Sequence, residues 1–128
     1  MSELSVLLVE DNPRNLKLAR DVLEHAGFAV TTVMSGEEAL PAALASVPDV
    51  ILMDLQLPGI DGHAALELLR ADPRTAGIPV VAVSAFAMRA DRERALGSGF
   101  DGYLEKPISV RDLPDQVRRA VRGKDGTA

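Results

Sequence analysis

Residues 6–15 read VLLVEDNPRN: four aliphatic side chains, two acids, then Asn12 and Pro13. The aliphatic run has no in-out alternation, which marks a strand covered on both faces, as in a parallel sheet. Pro13 suits a first helical position, where its missing N–H needs no partner. Beyond it Leu16, Ala19, Val22, Leu23 and Ala26 recur at helical spacing until Gly27 stops the pattern. A buried strand that passes through a short acidic turn into a helix reads as the start of an alternating α/β chain. It also poses a chemical question. Two acids beside a hydrophobic core need something to balance them.

Outward from this stretch the pattern repeats. Phe28 to Val33 reads as a more polar strand near a sheet edge, and Ser35-Gly36-Glu37-Glu38 as a capping box. The helix it opens is predicted to turn Leu40, Ala43, Leu44 and Val47 inward. Val50 to Met53 is a third, fully apolar run, followed by a Pro58-Gly59 turn and a helix through Leu66 and Leu69. Pro79 to Val83 is a fourth run, and Ala87 to Leu96 a helix whose thin apolar face is mostly alanine. Gly102 to Leu104 is a short fifth strand. From Ser109 a last helix is expected to bury Val110, Leu113, Val117 and Val121. Pro41 predicts a kink or a displaced start in the second helix, and Pro114 an irregular first turn or a start near Asp112 in the last. Strands alternating with helices imply an α/β, doubly wound parallel sheet with right-handed crossovers.

The 128 residues favour one domain, and 47% hydrophobic with 26% charged content is that of a globular chain. A net charge of −5 argues against nucleic acid as a partner. The absence of cysteine excludes disulfides and thiolate metal sites. The first ten residues lack a basic leader. The longest apolar stretch, Ile78 to Met88, is far short of the roughly 20 residues that span a bilayer. The expectation is a cytoplasmic protein without membrane contact.

The polar residues at the carboxyl ends of the runs are Glu10 and Asp11, then Asp54, Ser84 and Lys106. In a parallel sheet they share one rim, the place where such sheets bind ligands. Three crowded carboxylates raise one another's pKa, and one lysine cannot neutralise them. An all-oxygen site favours Mg²⁺ (or Mn²⁺). A carboxylate beside Mg²⁺ can accept a phosphoryl group, with the metal and a lysine offsetting charge on the transferring group. Asp54 is the best acceptor, because it alone follows the central apolar run and leads into a loop.

VLLVEDN, DVILMDLQLPGIDG, PVVAVSA and GYLEKPIS together resemble the receiver domain of two-component response regulators, in order, over residues 4 to 121. The resemblance implies a flavodoxin-like sheet of five strands in the order 2-1-3-4-5 with five helices. It implies a receiver domain over residues 1–122 and a short flexible tail, 123–128. Asp54 would receive the phosphoryl group from a histidine kinase or histidine phosphotransfer protein. Glu10, Asp11, Asp54 and the backbone carbonyl of Gln56 would hold Mg²⁺, and Lys106, beside a cis peptide to Pro107, would bind the phosphoryl group. Ser84 would be the hydroxyl switch, here in place of the commoner threonine, and Tyr103 the aromatic that turns inward with it. Gln56 and Phe86 would flank the path of attacking water and tune lifetime, the bulk of Phe86 implying slow self-dephosphorylation. AFAMRADRERA with KPIS leans, within the family, toward a stand-alone cell-cycle type and toward receivers on hybrid histidine kinases. Such a protein is no enzyme beyond self-phosphorylation and self-dephosphorylation. It signals to a downstream effector protein through the helix 4–strand 5–helix 5 face, as a monomer or weak dimer.

Other readings fare worse. An aspartate-nucleophile phosphatase needs a second aspartate where Gln56 stands, and a flavin binder needs a Ser/Thr-rich phosphate loop where Glu10 and Asp11 stand. A receiver fold serving as an unphosphorylated scaffold would not need the full acid set and Lys106. Gly97 to Gly102 matches G-x-G-x-x-G but follows a helix and precedes a strand, the reverse of a dinucleotide site. His25 and His63 have no evident metal or catalytic partner, and Arg89 to Arg94 reads as a solvated helix face.

Overall fold

The apolar runs form five parallel strands, β1 (Ser5–Val9), β2 (Ala29–Val33), β3 (Val50–Asp54), β4 (Val80–Ser84) and β5 (Gly102–Glu105). Their order in the sheet is β2-β1-β3-β4-β5, so the chain winds out to one edge and then back across to the other. This computed structural model describes residues 4–86 and 88–124, with Gly123 and Lys124 described by their backbone alone. The central strands β3 and β4 are buried at every residue, while the edge strand β2 has none buried. The flavodoxin-like arrangement is therefore the observed one.

Each face of the sheet is covered because each crossover delivers a helix with an apolar stripe. Ala19 and Leu23 of α1 (Pro13–His25) and Leu113 and Val117 of α5 (Leu113–Lys124) pack on Val6, Leu8, Leu52 and Val83. The other face, with Leu7, Ile51, Met53 and Ala82, takes α2 (Ala39–Ser46), α3 (Gly62–Ala71) and α4 (Arg89–Gly97). Pro13 does occupy the start of α1, and the Asn12 side chain caps it by accepting from the N–H groups of Arg14 and Asn15.

Two expected core residues lie outside. Val47 is 70% exposed, because α2 ends at Ser46 and Val47 takes a left-handed conformation with φ 45°. Pro48 follows it, and a residue before proline is disfavoured in the helical region. Val110 is 52% exposed, because α5 starts only at Leu113. Ser109 and Asp112 bond to each other across a turn that precedes the helix. Both helical prolines are accommodated by displaced starts. Pro41 and Pro114 fall in the first turns of α2 and α5, where no intrahelical N–H bond is lost. Ser35 and Glu38 do pair, but in the turn ahead of α2, which starts at Ala39 without a side-chain cap. The helix expected from Ala87 begins at Arg89, Ala87 itself lying outside the described residues. Of the expected tail, Gly123 and Lys124 continue α5, and 125–128 lie outside the described residues.

The rim at the amino ends of β4 and β5 is tied by Arg70. Its guanidinium donates to the carbonyls of Ala76, Ile78 and Gly99 and to Asp101, whose carboxylate also accepts from the N–H of Val80. This bracket joins the end of α3 to two strands and leaves the opposite rim free for chemistry.

The displaced start of α5 predicts a contrast. Leu113→Ala, at a fully buried position, should cost about 2–5 kcal/mol of unfolding free energy in urea titration. Val110→Ala should stay within about 0.5 kcal/mol of the parent.

Candidate active site

Parallel strands place their carboxyl ends on one rim, and four of the five strands bring a reactive side chain there. Glu10 and Asp11 follow β1, Asp54 closes β3, Ser84 closes β4 and Lys106 follows β5. Strand ladders continue into these loops. The N–H of Glu10 donates to Val33 O, that of Leu55 to Val83 O and that of Lys106 to Ser84 O. The side chains are thus held by the sheet and do not hang from free loops.

Asp54 is 2% exposed and Glu10 7%. The Lys106 Nζ lies 3.0 Å from Glu10 Oε1 and 3.0 Å from Asp54 Oδ2. The remaining oxygens accept backbone bonds, Glu10 Oε2 from Asn12 N at 3.1 Å and Asp54 Oδ1 from Gln56 N at 3.0 Å. One oxygen from each of Glu10, Asp11 and Asp54 lies within 4.8 Å of the others. Asp11, half-buried, makes no hydrogen bond or ion pair among the described residues. One ammonium against three carboxylates leaves the cluster negative. Burial is the main cause that lifts the Glu10 carboxyl above its ordinary value, ahead of the opposing bonds from Asn12 and Lys106, and Asp54 adds to the rise. The mutual repulsion expected from the sequence is therefore the smaller part. Burial would push the Lys106 ammonium down, but the hydrogen bonds to Glu10 and Asp54 outweigh it and hold its pKa above the usual lysine value. Hard oxygens, excess negative charge and one uncommitted carboxylate fit a small divalent cation of the Mg²⁺ kind.

The neighbouring loop carries the other expected residues. Ser84 is fully buried. Its Oγ accepts from Gln56 Nε2 at 3.1 Å and from Phe86 N at 3.0 Å. Phe86 is 56% exposed, and its carbonyl accepts a hydrogen bond from the Tyr103 hydroxyl. The Tyr103 ring is buried in the core with α3 and α4, so it lies inward while Ser84 is still engaged by Gln56. Gln56, Ser84, Phe86 and Tyr103 line a cleft of about 250 Å³ beside the acidic cluster. The peptide between Lys106 and Pro107 is cis, as the resemblance implied. His63 meets Ser98 and the edge of the Phe100 ring and lines the same cleft as Gln56 and Ser84.

Sequence reasoning passed over Gly62. A Cβ there would stand 2.7 Å from the carbonyl oxygen of Asp54 and 2.9 Å from the Cα of Leu55. The start of α3 packs directly on the backbone of Asp54 and Leu55, and only glycine allows it. The Asp-Gly pair in LPGIDG was the available signal.

A doubly wound sheet in this order, with an acid triad, a lysine and a buried serine on its carboxyl rim, defines a phosphoryl-accepting receiver. Residues 6–118 match the response regulator receiver domain, and the chain belongs to that family. The polar-differentiation response regulator DivK of Brucella ovis is 47% identical over 114 residues, covering 89% of this chain and 93% of that protein. The cell-cycle lean of AFAMRADRERA and KPIS points to the same type. Among solved structures, the receiver domain of a sensor histidine kinase from Pseudomonas aeruginosa is 36% identical with a TM-score of 0.85, covering 94% of this chain and 98% of that one. That structure holds a magnesium ion coordinated in its active-site cleft. The chemotaxis response regulator CheY4 of Vibrio cholerae, 24% identical with a TM-score of 0.87, covers 93% of this chain and 99% of its own and shares the fold.

The charge imbalance gives a direct test. Asp11→Asn removes one of the clustered carboxylates and should stabilise the protein in EDTA by about 1 kcal/mol, a rise in thermal midpoint of about 3–5 °C. Saturating Mg²⁺ should raise the parent's midpoint and leave that of Asp11→Asn nearly unmoved. Equal Mg²⁺ shifts in both proteins would remove Asp11 from the site.

Proposed function

We propose that this protein is a single-domain response regulator of a two-component phosphorelay, with the receiver running to the end of α5. Asp54 accepts a phosphoryl group from the phosphohistidine of a histidine kinase or histidine phosphotransfer protein. The observation that carries this reading is the setting of Asp54, a carboxylate 2% exposed at the end of the central strand and held by Lys106 inside a cation-sized acid cluster. In the transfer an Asp54 oxygen forms a P–O bond as the P–N bond to imidazole breaks, and the imidazole, already protonated at its other ring nitrogen, takes the P–N electron pair and leaves as the neutral base. Lys106 holds its proton throughout and faces the oxygens of the arriving group, as a fixed positive charge worth most where water is excluded. Glu10, Asp11, Asp54 and the Gln56 backbone carbonyl would hold Mg²⁺ (or Mn²⁺), which supplies the charge that offsets the phosphoryl oxygens when bound. The relative with a coordinated magnesium ion supports this assignment.

The expected output is a change of protein contacts at the face formed by α4, β5 and α5, read by a downstream effector protein. Ser84 and Tyr103 are the switch residues in this reading. The chemistry of the rim is self-limiting, with self-phosphorylation and self-dephosphorylation and no turnover of an external substrate. Among the described residues no helix is long and apolar enough to cross a membrane. In this reading the protein is cytoplasmic and acts as a monomer or weak dimer.

Intact mass after incubation with acetyl phosphate tests the chemistry. One phosphoryl adduct that requires Mg²⁺ and is lost in Asp54→Asn is the expected result. An adduct that survives Asp54→Asn would place the acceptor elsewhere. Lifetime is a separate matter. Phe86 lines the cleft with Gln56 and Ser84 and in this reading flanks the path of attacking water, so Phe86→Ala should speed loss of the adduct severalfold. An unchanged decay rate would remove Phe86 from that role.

A further inference from the structure

The Gln56 side chain does something that its place in the sequence does not announce. Its carboxamide spans two neighbouring loops and grips residues 84 and 85. Nε2 donates to Ser84 Oγ at 3.1 Å, while Oε1 lies 3.4 Å from both Ser84 Oγ and the N–H of Ala85. The backbone N–H of the same residue donates to Asp54 Oδ1 at 3.0 Å. One residue therefore touches the acceptor carboxylate with its main chain and the buried hydroxyl with its side chain. The connection continues, because Ser84 Oγ also accepts from Phe86 N and the Phe86 carbonyl accepts from Tyr103.

Ser84 Oγ has one proton to donate and two lone pairs to offer. In this arrangement Gln56 Nε2 and Phe86 N fill the lone pairs, and the nearest acceptor for the proton is Gln56 Oε1. The hydroxyl is thus fully committed, to Gln56 across the two loops and to Phe86 in its own. A phosphoryl oxygen on Asp54 needs the proton that Gln56 now attracts. Taking it requires the clasp to open and the segment from Ser84 to Phe86 to be free to move. Ser84 is fully buried, so water cannot replace the lost partner at no cost.

We propose that the Gln56 carboxamide is a clasp that holds the Ser84 hydroxyl in the resting loop and opposes its capture by a phosphoryl group on Asp54. Gln56 is a positioning residue. It acts through Ser84, and its effect is to lower the fraction of molecules ready to bind a phosphoryl group. The proposal rests on the acceptor reading given above and adds to it what restrains the resting state.

The test uses Gln56→Met, which keeps the length of the side chain and removes both amide groups, and beryllofluoride with Mg²⁺ as a stable mimic of the phosphoryl group. Loss of the clasp should tighten beryllofluoride binding by about 2- to 10-fold, the span expected for one or two neutral hydrogen bonds. The gain should vanish when Ser84→Ala is present in both arms, since a clasp on a missing hydroxyl restrains nothing. The side-chain amide protons of Gln56, observed by NMR in the ligand-free protein, should shift in Ser84→Ala and again on adding beryllofluoride to the parent. Unchanged or weaker binding by Gln56→Met, or a gain that persists without the Ser84 hydroxyl, overturns the proposal. So does a Gln56 amide signal that Ser84→Ala does not move. If the parent takes no beryllofluoride and Asp54 takes no phosphoryl group, the acceptor reading fails with it. A parent that binds the mimic while Gln56→Met behaves identically refutes the clasp alone.

Discussion

Lys106 stands 3.0 Å from two buried carboxylates that come from different strands, Glu10 after β1 and Asp54 at the end of β3. Much of the rim depends on this contact. Burying one carboxylate without a partner is costly, and burying two beside each other more so. The ammonium makes the arrangement possible, and it can do so only because β5 ends on the same side as β1 and β3. Parallel pairing is thus the condition for the site as well as for the core. The backbone completes the work. Asn12 N and Gln56 N take the carboxylate oxygens that Lys106 does not, so both buried acids are hydrogen-bonded at each oxygen before any cation arrives. Asp11 is left over, and it is the group that makes the cluster hungry for positive charge.

The helices serve the same rim. Asn12 caps α1 with its side chain while its own N–H holds Glu10, so the helix start and the acid are set by one residue. The start of α3 is pressed onto Asp54 through Gly62, with no room for a side chain between them. Gly59, at φ +73°, turns the intervening loop toward Glu37, whose carboxylate accepts from Ile60 N. Asp54 is consequently fixed from in front by Lys106 and from behind by a helix. A carboxylate held this way would keep its orientation through the proposed transfer, which is what positioned reactants require.

How far this could be read from the residues follows from the range of the interactions involved. Buried parallel strands show as uninterrupted aliphatic runs, so VLLV, VILM and VVAV disclosed three strands and the acids or hydroxyl that close them. Strand order came from likeness to a family and not from spacing. Val47 and Val110 were misplaced because a helical period continues on paper past the point where proline ends or delays the helix. Gln56 with Ser84, and Arg70 with three backbone carbonyls, left no trace in the pattern. Their partners lie 6 to 31 residues away, and several are main-chain groups that every residue possesses.

The same distribution of burial bears on where a change at Asp54 can go. The central strands are buried at every residue and will not bend to accommodate a new group. Helix α3 buries Gly62, Ala65, Leu66 and Leu69, and α1 buries Ala19 and Leu23. Helix α4 buries Ala95 alone. Ahead of it stand Phe86 and Met88, 56% and 71% exposed. An element with so few buried apolar contacts costs little to displace. The segment joining β4 to α4 is also the one that Gln56 grips at Ser84 and Tyr103 meets at Phe86. Strain introduced at the acceptor therefore finds a stiff sheet, two well-anchored helices and one loosely seated helix whose leading loop is tied to the site by hydrogen bonds. In the function proposed above, motion would be directed to α4 by what holds the other elements in place, and the face beside it would be where a partner reads the state of Asp54.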